Sequence, residues 1–200
     1  MRPQIATTNG AALIMTDQTH TPLVERHDLI DGLYTVPIRL YGDERGAFCE
    51  TFHQEWFPFV DWTQMQMNRS TSQPGVLRGL HYHLNQIDYW FLMAGRIRVG
   101  LADLRPSSPT YKTGATLDMD AEEPFGLFIP QGVAHGFYAQ TDVVLTYVVN
   151  QYYNGGADER GVAWNDPTFN VDWGADSPIL SQRDQSNRHL EDIPTDELPQ

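Results

Sequence analysis

Residues 74–99 constrain the fold of this chain more than any other stretch. A Pro-Gly turn signal at residues 73–75 opens it, and residues 89–93, apolar at every position, predict a buried strand. Between turn and strand lie two charged side chains, Arg78 and Asp88, and two histidines, His81 and His83. Titratable groups that lead directly into a buried strand predict a lined pocket rather than a solvated surface.

The spacing of His81 and His83 leads to a second prediction. If residues 78–83 are extended, both imidazoles lie on one face, because alternate side chains of a strand point the same way. Two histidines so placed are either a pair of metal ligands or a catalytic base beside a helper residue. A third interpretation, two half-exposed surface histidines, stays open when this stretch is taken alone.

The whole chain has the pattern of an all-β protein. Its 200 residues are 40% hydrophobic, enough for one core, and 16 Gly with 13 Pro favour short strands joined by turns. Residues 96–101 alternate between apolar and other positions, and residues 143–149 form a β-branched run. At least seven such strands, with short helical turns, predict a β-sandwich or barrel. The acidic segment 116–123 is predicted as a loop.

We predict three regions along the chain. Residues 1–24 lack periodicity and are expected to form a flexible N-terminal arm. Residues 25–185 carry the strand pattern and are expected to form a single domain. Residues 186–200 are acidic and poorly patterned, which predicts a C-terminal tail that could hold a short helix.

The charge of the chain argues against some classes of partner. A net charge of −13 opposes binding to nucleic acid and to anionic membranes, although a local arginine cluster can still hold a small anionic ligand. The sequence shows no apolar run of the length of a signal peptide or a membrane span. Cys49 is the only cysteine, which fits a reducing compartment. We therefore expect a cytoplasmic protein with neither a nucleic-acid nor a membrane partner.

Residues 64–72 place amides and hydroxyls on one face of a predicted strand, among them Gln66, Asn68 and Ser70. Such a face is either the solvated outer surface of a sheet or a row of side chains that lines a ligand site. The sequence alone does not choose between the two interpretations.

Several ordered motifs together resemble those of the dTDP-4-dehydrorhamnose 3,5-epimerases, sugar-nucleotide epimerases with a jelly-roll (cupin) fold. The resemblance extends over residues 32–184, and the number of motifs in order makes it specific. The motifs include Asp43-Glu44-Arg45-Gly46, Gln66-Met67-Asn68-Arg69-Ser70, Arg78-Gly79-Leu80-His81-Tyr82, Ala134-His135-Gly136-Phe137 and Trp164-Asn165-Asp166-Pro167.

The resemblance implies epimerisation at C3, C5 or both of a dTDP-4-keto-6-deoxyhexose. His81 matches the family's base, which removes a proton next to the ketone to give an enolate. Asp184 matches the carboxylate that orients this imidazole and stabilises its cation. Tyr147 matches the phenol that returns a proton from the opposite face. The implied reaction needs no cofactor.

The resemblance also implies which residues bind the substrate. Arg45 and Arg78 are expected to contact its phosphates and sugar through bidentate hydrogen bonds. The other matched positions are expected to line the pocket: Glu50, Gln66, Asn68, His135 and, as a neighbour of the site, Tyr153. Family members are dimers that exchange strands, so a homodimer that binds a nucleotide sugar is expected.

Two positions depart from the family pattern. His83 stands where Gln is usual, and Asp88 stands where a Lys is expected to stabilise the enolate. One alternative is therefore a metal-dependent cupin acting on a small polar substrate, with one divalent transition metal bound by His81, His83, Asp88 and His135. His81 could not then also act as the base. The other alternative is a catalytically inactive module that binds sugar nucleotides.

Overall fold

The computed structural model describes residues 24–200, so the predicted arm lies outside the described residues except for its last position. Within this range the strands are β1 Glu25–Arg26, β2 Tyr34–Pro37, β3 Tyr41–Asp43, β4 Gly46–Phe48, β5 Gln66–Ser72, β6 Leu77–His83, β7 Asp88–Ala94, β8 Arg96–Asp103, β9 Gly114–Asp120, β10 Phe125–Ile129, β11 Val133–Ala139, β12 Val143–Val149 and β13 Glu159–Gly161. A short helix, α1, spans Gln182–Gln185, and 3-10 turns span Gln54–Trp56, Leu190–Asp192 and Thr195–Glu197. None of these helices is long and apolar enough to cross a bilayer.

The strands form two antiparallel sheets that face each other. One sheet has six strands in the order β1-β2-β10-β7-β12-β5, and the other has five in the order β13-β6-β11-β8-β9. β3 and β4 form a separate hairpin. Most neighbouring strands within a sheet are distant in the chain, as the Greek-key connections of a jelly roll require. The all-β jelly-roll (cupin) sandwich predicted from the sequence is confirmed.

Strand β7 shows why residues 89–93 are apolar without interruption. Trp90 and Leu92 point between the sheets and belong to the main core cluster. Tyr89 and Phe91 point to the opposite face of the six-stranded sheet, where they pack in a second cluster with Trp56. Both faces of this central strand are buried, so the usual alternation of apolar and polar side chains is lost.

The C-terminal segment covers the outer face of the five-stranded sheet. Leu80 and Tyr82 of β6 belong to the same buried cluster as Leu190, Ile193 and Leu198. Burying an aliphatic side chain of this size stabilises the fold by about 1.5–3 kcal/mol. Residues 186–200, predicted as a tail, are therefore part of the packed structure, and their apolar positions are too irregular in sequence to have indicated this.

The prediction of a loop over residues 116–123 is wrong, because residues 116–120 belong to β9. This strand lies at the edge of the five-stranded sheet and pairs with β8. Leu117 and Met119 pack against the main core, whereas Asp118 is exposed and pairs with Arg98. The acidic side chains are thus the solvent face of a half-buried strand, and they concealed its alternation.

Candidate active site

A cavity of about 860 Å³ opens between the two sheets. Strands β5, β7 and β12 of the six-stranded sheet line one wall, and β6 and β11 of the five-stranded sheet line the other. Residues 179–184 complete it on one side. The structure places these predicted residues around the cavity: Gln66, Asn68, Arg78, His81, His83, Asp88, His135, Tyr147, Tyr153 and Asp184.

His81 and Asp184 form a hydrogen-bonded pair at the cavity wall. Nε2 of His81, on β6, donates to Oδ1 of Asp184 over 2.6 Å. Asp184 lies in α1, where its backbone N–H donates to Oγ of the N-cap residue Ser181 over 3.1 Å. The cap fixes the backbone that carries the carboxylate, and the carboxylate in turn fixes the orientation of the ring.

The carboxylate of Asp184 stays ionised in this setting. Burial acts to raise its pKa, but the hydrogen bond and charge of His81, with further hydrogen bonds from Ser181 and the Gly79 backbone, outweigh burial and lower the pKa from its ordinary value. An ionised carboxylate can only accept, so the proton of the neutral ring is held on Nε2. The lone pair of His81 is therefore on Nδ1.

Two residues near this pair were not predicted from the sequence. Oε1 of Glu159 lies 3.5 Å from Nδ1 of His81 and accepts from Nη1 of Arg183 over 2.8 Å. Glu159 reaches the cavity because β13 pairs with β6. A three-residue strand in a turn-rich segment has no pattern that could have indicated this, and the only signal for Arg183 is that it adjoins Asp184.

Tyr147 lines the wall opposite His81. It lies on β12 of the six-stranded sheet, whereas His81 lies on the five-stranded sheet. Burial raises the pKa of the Tyr147 phenol, and the charges of Asp88 and Glu159 raise it further. The phenol is therefore protonated at neutral pH and can donate a proton into the cavity.

Three other titratable residues form a second, more deeply buried cluster. Oδ2 of Asp88 lies 3.7 Å from Nε2 of His135, and Oδ1 of Asp88 lies 3.8 Å from Nε2 of His83. The potential ligand atoms of the three residues all lie within 4.8 Å of one another. His81 lines the same cavity but lies outside this group. Of the four residues predicted as alternative metal ligands, three form this cluster, whereas the fourth, His81, is hydrogen-bonded to Asp184.

Hydrogen bonds orient the members of the cluster. Asp88 accepts from Nε1 of Trp90 over 3.1 Å and from Nε2 of Gln86 over 2.8 Å. Nδ1 of His135 donates to the carbonyl oxygen of Val133 over 2.9 Å, which leaves the lone pair of this ring on Nε2. Burial lowers the pKa of His135 to about 4, so the ring is neutral near pH 7.

The polar row on β5 faces the cavity, which decides between the two interpretations of residues 64–72. Gln66, Asn68 and Ser70 all line it. Nε2 of Gln66 donates to Oδ1 of Asn68 over 2.7 Å, and its Oε1 accepts from the backbone N–H of Tyr153 over 3.1 Å. The row therefore both presents amides to a ligand and holds the segment that carries Tyr153.

Arg78 is held at the cavity by its neighbours on β5. Its Nε donates to Oγ of Ser72 over 2.9 Å, and its Nη2 donates to the carbonyl oxygen of Thr71 over 3.0 Å. These bonds fix a guanidinium in a cavity that also contains three carboxylates, those of Asp88, Glu159 and Asp184.

Two predicted binding residues, Arg45 and Glu50, do not line this cavity. Arg45 lies in the turn between β3 and β4, where its side chain is 85% exposed and pairs with Asp43 over 2.5 Å. Glu50 follows the hairpin, is 52% exposed and lies 3.4 Å from His53. Within one copy of the chain, these side chains are directed to the surface.

The chain matches a known family over most of its length. The family model described as dTDP-4-dehydrorhamnose 3,5-epimerase matches residues 28–192, which include every strand from β2 to β13 and α1. The dTDP-4-dehydrorhamnose 3,5-epimerase of Shigella flexneri is 35% identical over 161 residues, covering 77% of this chain and 88% of the relative.

Solved structures of similar proteins share the fold. The dTDP-6-deoxy-D-glucose-3,5-epimerase RmlC from Legionella pneumophila, in complex with dTDP-4-keto-L-rhamnose, is 31% identical with a TM-score of 0.82, over 88% of this chain and 97% of that chain. ChmJ, a 3'-monoepimerase from Streptomyces bikiniensis in complex with dTDP-quinovose, is 29% identical with a TM-score of 0.81, over 88% of this chain and 92% of that chain.

Proposed function

The chain belongs to the dTDP-4-dehydrorhamnose 3,5-epimerase family of isomerases, and we propose that it inverts C3, C5 or both of a dTDP-4-keto-6-deoxyhexose. The observation that carries this proposal is the placement of a base and an acid on opposite walls of one cavity. His81, paired with Asp184, is on one sheet, and Tyr147 is on the other. Inversion at carbon requires this arrangement, because the proton must leave one face of the sugar and return to the other.

His81 is the proposed base in the first step. The 4-ketone acidifies the C–H bonds on both neighbouring carbons, and Nδ1 of His81 takes one of these protons to form an enolate and an imidazolium. Asp184, ionised and hydrogen-bonded to Nε2, stabilises that imidazolium. The C–H electron pair moves into the enolate, so no redox step is involved.

Tyr147 is the proposed acid in the second step. Its phenol donates a proton to the enolate carbon from the opposite wall, which gives the inverted centre and a phenolate. Both transfers use side chains of the chain itself, and the absence of a cofactor from this reaction stays a prediction.

The other cavity residues are proposed to bind the nucleotide sugar. Arg78 is fixed at the cavity, and a guanidinium there suits bidentate contact with a diphosphate. Gln66, Asn68, His135 and Tyr153 line the space around the sugar and its nucleotide.

Arg45 and Glu50 are proposed to act in a homodimer. Both lie outside the cavity of their own chain, and the hairpin beside them exposes 65% of Phe48, a large apolar side chain. An exposed aromatic next to unused binding residues suits packing against a second copy, where these residues would reach the partner's cavity. The cytoplasmic location, inferred from the single cysteine, stays a prediction.

Solvent exchange tests the proposed reaction. The protein is incubated in D2O with dTDP-4-keto-6-deoxyglucose, and NMR follows deuterium at C3 and C5 together with the configuration of each carbon. We expect exchange with inversion at one or both positions, lost in His81→Ala and retained in His189→Gln, a histidine that does not line the cavity. Exchange that is unchanged in His81→Ala would overturn the assignment of the base.

The buried carboxylate of Asp88 favours one second candidate, a module that binds sugar nucleotides without reaction. A negative charge in the cavity opposes an enolate. Binding of thymidine diphosphate to the wild-type protein, without exchange at either carbon, would support this candidate over the epimerase.

A further inference from the structure

We propose that His83, Asp88 and His135 bind one divalent transition-metal ion inside the cavity, beside the His81–Asp184 pair rather than in place of it. The proposed role of the ion, stabilising an enolate, rests on the function proposed above, whereas its binding does not. A bound ion would replace the prediction of a cofactor-free reaction and would leave the roles of His81, Asp184 and Tyr147 unchanged.

The spacing of the three side chains is the first argument. The 3.7 and 3.8 Å separations between Asp88 and the two Nε2 atoms are too long for hydrogen bonds. Two donors bound to one ion at about 2.1 Å each are separated by roughly 3–4 Å. The full spread of 4.8 Å exceeds this range slightly, so a small side-chain movement would complete the site.

The lone pairs of both imidazoles are the second argument. Nδ1 of His135 donates to Val133, so Nε2 carries the lone pair toward Asp88. The amide nitrogen of Gln86, which can only donate, lies 3.2 Å from Nε2 of His83 and so assigns a lone pair to that atom too. The carboxylate of Asp158 lies 3.6 Å from Nδ1 of His83. Metal-binding histidines are oriented by outer partners of this kind.

Nδ1 of His83 is also buried without a hydrogen-bond partner within the described chain. A modest shift of the ring toward Asp158 would make this nitrogen a donor to that carboxylate. The amide of Gln86 lies between His83 and Asp88 and must turn to admit an ion. Its oxygen would then be a further possible ligand.

The charge of the cavity is the third argument. Its lining has the carboxylates of Asp88, Glu159 and Asp184 but only two guanidiniums, and that of Arg183 is already paired with Glu159. The one lysine of the chain, Lys112, is not part of the lining. A dianionic diphosphate and a developing enolate add further negative charge, which a divalent cation would offset as a Lewis acid.

The donor set narrows the identity of the ion. Two imidazoles and one carboxylate suit Fe²⁺, Mn²⁺, Ni²⁺ or Zn²⁺, whereas Mg²⁺ and Ca²⁺ prefer sites made of oxygen alone. Three protein ligands leave positions for water or for the substrate's carbonyl oxygen.

Calorimetric titration of the chelator-treated full-length protein with Zn²⁺ and with Mn²⁺ tests the site. We expect one equivalent to bind to the wild-type protein and to the control His189→Gln, which removes a histidine that does not line the cavity. Asp88→Asn and His83→Gln are nearly isosteric changes at the site, and each should weaken binding at least tenfold. Thermal unfolding of the chelator-treated proteins verifies that each variant is folded.

The same titrations can overturn the proposal. Binding of neither ion by the wild-type protein would do so, and so would equal affinity in the wild-type protein and in folded Asp88→Asn. Stoichiometric binding without any solvent exchange would support the site while contradicting the proposed epimerase. The protein could also bind neither Zn²⁺ nor Mn²⁺ and show the same rate of solvent exchange with and without added ion. That result would support the epimerase and overturn the metal site.

Discussion

Nε2 of His81 lies 2.6 Å from Oδ1 of Asp184, although 103 positions separate the two residues in the chain. The imidazole comes from a strand inside the sandwich, and the carboxylate comes from a four-residue helix outside both sheets. The contact assigns the ring proton to Nε2 and so makes Nδ1 the atom that can act as a base. The proposed chemistry depends on this one hydrogen bond more than on any other contact in the cavity.

Asp184→Asn should therefore slow solvent exchange into the sugar by about 10²–10⁴-fold. The amide keeps the shape of the side chain but neither stabilises an imidazolium nor enforces the proton on Nε2. Exchange measured by NMR at matched protein concentration would show the loss. Asp118→Asn, on the exposed face of β9, is the matched control and should keep the wild-type rate. A decrease of less than tenfold in Asp184→Asn would contradict the proposed role.

The pH dependence of the free energy of unfolding should reflect the ionisation of Asp184. The pKa of Asp184 is lowered in the folded protein. As the pH falls, this carboxylate is therefore protonated at a higher pH in the unfolded state than in the folded state. The stability that this group contributes is thus present above about pH 4, the ordinary pKa of Asp, and is lost as the pH falls through the lower folded pKa. Urea unfolding of wild type and Asp184→Asn between about pH 2 and 6 should give free energies whose difference changes most below pH 4. A constant difference would rule out a lowered pKa.

Tyr147→Phe should separate the two proton transfers. The ring that packs against the main core is retained, but the acid on the second wall is removed. We expect formation of the inverted product to fall by about 10²-fold or more, while His81 can still remove and return a proton on its own face. NMR distinguishes exchange with retention from exchange with inversion. Tyr138→Phe, a tyrosine outside the cavity, should behave as wild type, and unchanged inversion in Tyr147→Phe would argue against the assigned acid.

Mixed dimers should reveal whether Arg45 serves the partner's cavity. Arg45→Ala and His81→Ala are each expected to be inactive as homodimers. If Arg45 acts across the interface, a mixed dimer contains one cavity with both residues, so co-refolding equal amounts should restore about a quarter of the wild-type activity. If both residues act within one chain, no cavity in the mixture is complete. Activity that stays at the level of the separate variants would therefore contradict the proposal that Arg45 reaches the partner's cavity.

Asp103 should be important for stability. It is fully buried and accepts hydrogen bonds from Arg105, Ser108 and Thr110. Asp103→Ala removes the carboxylate that neutralises Arg105 and leaves the guanidinium only uncharged partners among the described residues, such as the carbonyl oxygen of Asp31 at 2.7 Å. We expect it to lower the free energy of unfolding by about 3–5 kcal/mol. The exposed pair of Asp118 with Arg98 offers the comparison, because Asp118→Ala should cost about 0–1 kcal/mol. Chemical denaturation of both variants measures the difference, and equal losses would contradict the argument from burial.

The features that could be predicted from the sequence are those that follow from the alternation of side chains along a single strand. Residues 143–149 coincide with β12, and the shared face of His81 and His83 follows from the period of a strand. Asp184 was identified by resemblance alone, and Glu159 was not identified, since each reaches the cavity through a contact with β6 that is distant in sequence. The separation of the His83–Asp88–His135 cluster from His81 depends on how β7 and β11 are placed around β6, which no local pattern encodes.

The segment that carries Asp184 is attached to the sandwich by few backbone bonds. The N–H of Leu77 donates to the carbonyl oxygen of Ile179 over 2.9 Å, and the N–H of Ile179 donates to that of Gly75 over 2.8 Å. Segments with so few anchoring bonds open at a lower free energy than the sheets they cover. If this segment detached, His81 would lose its carboxylate partner while the two sheets stayed folded. Catalytic activity could therefore be lost without unfolding of the protein.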